Sequence, residues 1–164
     1  MADAQPLHTV RIMQKSGFRA LGVPWTALVG LALLGLPRVL LHDLNVIQEG
    51  DLANLLLVVV PPAVWIVVVL SARVPKPFLT LIVVGAIYGV FLAVGHQLLW
   101  DHALGKEPSL GGNLEGQLSP AVEELVIRIF AFISSLFTGL LVGAVTGLVA
   151  WGAGRLLNGR TAVR

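Results

Sequence analysis

Three of the four histidines, and four of the nine carboxylates, stand in short groups where long apolar runs begin or end. Arg38, His42 and Asp43 close the first run, and His96, Gln97, Trp100, Asp101 and His102 close the third. Glu123, Glu124 and Arg128 open the last. Imidazole and carboxylate together can hold a divalent cation or exchange protons near neutral pH. The spacing is not diagnostic of either. There is no H-E-x-x-H, and His96 and His102 are too far out of phase to share a helical face. The plainer reading is an interfacial belt, with Trp100 at headgroup level and the charges in water. A proton- or cation-linked site and a partner-docking surface are the alternatives, and no metal is assigned. Glu124 and Arg128 stand four apart with the acid first, the favourable order for a helical ion pair. Apolar residues follow Arg128, so its charge calls for a carboxylate partner.

Other residue patterns carry packing rather than reaction chemistry. Ser135, Gly139, Gly143 and Gly147 recur every fourth residue, and Gly85 and Gly89 repeat the pattern more briefly, continued by Ala93 and Gln97. Such spacing makes a flat helix face that a second backbone can approach closely. The second helix is either in the same chain or in another copy. Pro61 and Pro62 fall in the middle of the second apolar run, where each removes a backbone donor. The pair predicts a kink, read either as a fixed bend or as a hinge whose freed carbonyls line a polar path. Ser134 and Ser135 have no His or Lys close in sequence, so a hydroxyl bond to a carbonyl one turn back is expected. Phosphate-loop, dinucleotide and nucleophile-elbow motifs are absent, and there is no cysteine. No catalytic residue and no cofactor are assigned.

The elements that must position these groups follow from composition. Hydrophobic residues make up 56% of the 164 and charged ones 12%, and the mean hydropathy is +0.87. A domain of this size cannot enclose that much apolar surface, so the bilayer is expected to be part of its solvent. Four spans are predicted, at about 24–41, 52–70, 78–100 and, from a start at Ser119-Pro120, 120–157. Serine before proline, with Glu123 and Glu124 in the first turns, is a helix-start signal. A helix over 120–157 would be about 57 Å long at ~1.5 Å per residue, against ~30 Å of hydrocarbon. It should therefore project beyond the membrane. The connection 101–118, with four glycines, reads as an irregular outer loop. The first run follows a 23-residue leader and lacks a small-residue cleavage site, so it reads as a permanent helix.

Lysine and arginine set the orientation. Arg11, Lys15 and Arg19, then Arg73 and Lys76, then Arg155, Arg160 and Arg164 all fall on one side of a four-span chain. Only Arg38, Lys106 and Arg128 fall toward the other, with every acid except Asp3. Both termini are expected in the cytoplasm. The leader TVRIMQKSGFR has too weak an apolar face to be more than an orientation signal. The sorted charge argues against a nucleic-acid partner. The expected protein is thus an all-α, integral membrane four-helix bundle forming one domain over 1–164. The expected function is non-enzymatic: an assembling or accessory subunit that packs through its glycine faces on itself or another membrane protein. The alternative is a small oligomeric transporter or channel for ions, protons or metal, with the His/acid layer as its outer mouth. A lipid-modifying enzyme ranks last, for want of a nucleophile and base at a working spacing. Eight arginines against three lysines fit a GC-rich bacterium, hence a multi-pass protein of its cytoplasmic membrane.

Overall fold

The computed structural model describes residues 21–103 and 109–161, and among them every regular element is helical. The basic leader, Lys106, Glu107 and Arg164 lie outside the described residues. The helices are α1 (Trp25–Leu33), α2 (Leu36–Asp43), α3 (Leu52–Ser71), α4 (Pro77–Leu98), the single turn α5 (Trp100–Ala103) and α6 (Pro120–Thr161). A 3₁₀ turn at Gly112–Leu114 interrupts the long connection. Four stretches are long and apolar enough to cross a membrane: Trp25–Asp43, Leu52–Ser71, Pro77–Leu98 and Pro120–Leu157.

The first stretch departs from its expected form. It is two helices rather than one unbroken run over 24–41. Pro37 has no N–H for the carbonyl one turn earlier, and its ring crowds that turn. The amides of Leu34 and Gly35 bond instead to Leu31 and Ala32, three residues back, at 3.2 Å each. The break is used. The Leu31 carbonyl also accepts the indole N–H of Trp65 at 2.7 Å, which ties α3 to the interruption. At Gly35 a Cβ would stand 2.5 Å from the Tyr88 ring, so only glycine lets α4 come this close.

The other boundaries shift less. α3 stays helical through Pro61 and Pro62. α4 stops at Leu98, and Trp100 belongs to the separate turn α5 rather than to the third span. α6 continues four residues past Leu157, and its 42 residues make about 63 Å at ~1.5 Å each. The proline start holds: the Ser119 carbonyl accepts the amides of Val122 and Glu123 at 2.9 and 3.0 Å. The connection over 101–118 is ordered in part, by α5 and by the 3₁₀ turn.

α4 is the axis of the bundle. Half of its apolar window is buried, against 11% for α6. Its glycines explain how α6 reaches it. A Cβ on Gly85 would stand 2.6 Å from the Gly143 Cα and overlap the Gly139 carbonyl, and one on Gly143 would stand 2.5 Å from the Leu81 carbonyl. Gly89 faces Ser135 and Leu136, and Gly147 faces Phe78. The two glycine faces therefore meet each other inside one chain, backbone against backbone. On the other side of α4, Leu28, Ala32, Val39, Trp65, Val69 and Val84 form the apolar core, each almost fully buried.

Candidate functional site

The groups that the sequence places in one outer layer separate into two clusters. The first is buried. Asp43, the last residue of α2, is 3% exposed. Its Oδ2 lies 2.6 Å from the His96 Nδ1 on α4, and its Oδ1 lies 3.5 Å from the His42 Nδ1. A carboxylate only accepts, so the His96 proton sits on Nδ1, and Nε2 is the atom left to gain or lose one.

The second cluster is more open, apart from the buried Trp100, and joins α4, α5 and α6. Arg128 donates to Glu124 at 2.8 Å, lies 3.9 Å from Asp101, and stacks 4.7 Å above the Trp100 ring. Gln97 donates to the Arg128 carbonyl at 3.1 Å. This is the carboxylate partner that the position of Arg128 calls for. Glu123 turns aside to accept the amide of Leu110, which pins the long connection to the start of α6. His102 is exposed, and its carbonyl accepts from the Asn45 side chain at 3.3 Å. Among the described residues no three His, Asp or Glu side chains converge as a metal centre would need.

Arg38 belongs to neither cluster. It sits on α2, little more than a turn before Asp43, and its Nε donates to the Asn54 Oδ1 of α3 at 3.1 Å. Among the described residues no carboxylate lies within ion-pair distance of it. Instead it lines two adjoining cavities of about 440 Å³ each, with Tyr88 and Thr138 common to both. The upper cavity is walled by His42, Asp43, His96 and Trp100 and, from α6, by Ser134 and Ser135. The lower one reaches Pro61, Pro62 and Trp65. Its wall includes Leu57 and Val58, the two residues whose carbonyls lose their helical donors to the prolines.

Both serines bond back to the Ala131 carbonyl, at 3.1 and 2.7 Å, as residues that finish a helix turn rather than act as nucleophiles. Three members of the site escape a reading by spacing. Asn54 stands in an apolar run, Tyr88 is the single tyrosine, and Trp65 reads as ordinary core. The G-L-P interruption beside Arg38 was the usable signal. With the prolines of α3, it places two proline-bearing apolar segments on one cavity.

No family model matches the chain, and neither a curated protein nor a solved structure matches it.

Proposed function

We propose that this is a small, non-enzymatic transport protein of the bacterial cytoplasmic membrane. It crosses the bilayer four times with both ends in the cytoplasm, and it admits its solute from the opposite face. The observation that supports this is that the two cavities adjoin, sharing Arg38, Tyr88 and Thr138 in their walls. They lead from the Asp43–His96 pair at the acidic end, past Arg38, to the proline-interrupted middle of α3. Ionisable groups within a membrane bundle are costly and mark solute or proton paths. The lipid-facing character of the helices supports insertion: large apolar side chains such as Phe130, Phe137, Leu52 and Val67 are more than half exposed. A water-soluble protein does not carry so much contiguous apolar surface. The basic end of the bundle, with Arg73, Lys76 and Arg155, supports the cytoplasmic side.

The assembling-subunit reading draws less support, because the glycine faces on which it was built meet one another within the chain. The test is flux into proteoliposomes holding a pH dye and an ion reporter, compared with empty vesicles. His96→Ala is expected to lower flux severalfold, while Glu124→Gln, in the exposed cluster outside the cavity, leaves it unchanged. Flux no greater than in empty vesicles for protons, for inorganic ions and for the organic anion considered next would remove the proposal.

A further inference from the structure

Whether the charges around the upper cavity close without a guest depends on its histidines. Arg38 brings one positive charge and Asp43 one negative, while His42 and His96 are neutral or positive. Tyr88 is the remaining titratable group on the wall. From α6 the wall offers the hydroxyls of Ser134, Ser135 and Thr138, which carry no charge, and behind Arg38 stands the uncharged Asn54 of α3. Arg128 lies over the Trp100 ring and is already matched by Glu124. Asp43 is bound to His96 rather than to Arg38. With the histidines neutral, the sum is zero and a bound anion would leave the cavity negative. With a proton on His96 Nε2, the carboxylate is matched by the imidazolium, and Arg38 is the unmatched cation.

We infer that the cavity binds an organic monoanion together with one proton, the acidic group at Arg38 and the proton on His96. The guanidinium suits this role. Asn54 occupies only Nε, which fixes the fork and leaves the terminal N–H groups as a paired donor for carboxylate, sulfonate or phosphate oxygens. Below Arg38 the wall turns apolar, with Pro61, Trp65, Leu141 and Val145. The guest is thus amphipathic, its acidic head at Arg38 and a ring or short chain reaching toward Trp65. Two adjoining cavities of about 440 Å³ each are of the size that holds such a molecule. The inference deepens the transport reading and uses the same cavity.

The probe is naphthalene-2-sulfonate, whose charge is fixed, so that any proton taken up belongs to the protein. Binding to the full chain in lipid nanodiscs is measured by calorimetry in two buffers of different ionisation enthalpy, with empty nanodiscs subtracted. The sulfonate is expected to bind with uptake of about one proton. The neutral naphthalene-2-methanol and inorganic phosphate should each bind at least about tenfold more weakly, lacking the head or the body. Arg38→Gln should weaken sulfonate binding by about tenfold or more, and Arg38→Lys, which keeps the charge and loses the fork, by less. His96→Gln should still bind but take up no proton. Equal binding of the alcohol, an Arg38→Lys variant that is folded but unaltered together with an unaltered Arg38→Gln, or undiminished proton uptake in His96→Gln would overturn the inference. Sulfonate binding with proton uptake but no flux would support it and remove the transport reading alone. Flux of inorganic ions that ignores Arg38 would do the reverse.

Discussion

At the scale of single residues, Asp43 is the feature on which the site turns. Among the described residues it is the one buried charge, and its partner His96 stands 53 positions away. A buried carboxylate keeps its place through its donors, and removing one side of such a pair leaves the other exposed to an apolar wall. Asp43→Leu is therefore expected to lower the unfolding free energy by about 1–3 kcal/mol. Asp43→Asn, which can still accept from Nδ1, should lose less. Reversible unfolding in mixed micelles measures both, and equal stability of the leucine variant and the natural chain would show that the pair does not hold α2 to α4. Each residue of this pair stands out in the sequence as a polar group ending an apolar run. Their pairing does not, since it depends on how far two helices are rotated about their axes. Asn54 is hidden for a similar reason: a lone amide in an apolar run acquires meaning only when Arg38 is brought beside it.

At the scale of elements, glycine and proline placement decides the architecture, and both were visible as spacing. What the spacing leaves open is which surface the glycines meet. The close approach of α4 and α6 settles it, because Gly143 has no room for a Cβ against the Leu81 carbonyl at 2.5 Å. Gly143→Leu should destabilise by about 3 kcal/mol or more, since backbone cannot move aside as a side chain can. Gly152, on the same helix with nothing within 4 Å of its missing Cβ, gives the opposite result. Gly152→Ala should stabilise by about 0.5–1 kcal/mol, through the smaller entropy loss of alanine in a helix. Thermal unfolding of the two variants in one detergent checks the pair, and equal shifts would mean that the helices are not in contact there. Pro61 and Pro62 invite the complementary test. Replacing both by alanine returns donors to the carbonyls of Leu57 and Val58, so the helix should become more stable. If those carbonyls serve the lower cavity, flux should fall as stability rises, and a variant that gains in both would separate the prolines from transport. The break in the first span was legible too, as Gly35-Leu36-Pro37, but hydropathy averages across it.

At the scale of the whole molecule, the four helices expose oil along their length and sort charge between their ends. The two properties together support the proposed bilayer setting and its orientation. The 11% burial of the last span would be untenable in water, where so large an apolar surface drives aggregation. Charge then chooses between two mirror insertions. Short connections rich in lysine and arginine stay in the cytoplasm, and the turn between α3 and α4 carries Arg73 and Lys76 within a few residues of both helices. The opposite connections carry the acids, which weigh little by themselves, so the outcome rests on the basic turn and tail. The chain has no cysteine, which allows each end to be marked singly. Ala72→Cys lies in the basic turn and Glu115→Cys in the long connection, and both positions are exposed. A maleimide that cannot cross membranes, applied to intact cells, should label Glu115→Cys and leave Ala72→Cys unlabelled until the membrane is opened. Labelling of Ala72→Cys in intact cells would invert the orientation. The Asp43–His96 cavity would then open to the cytoplasm, and a proton moving with a bound anion would be released there first rather than captured from outside.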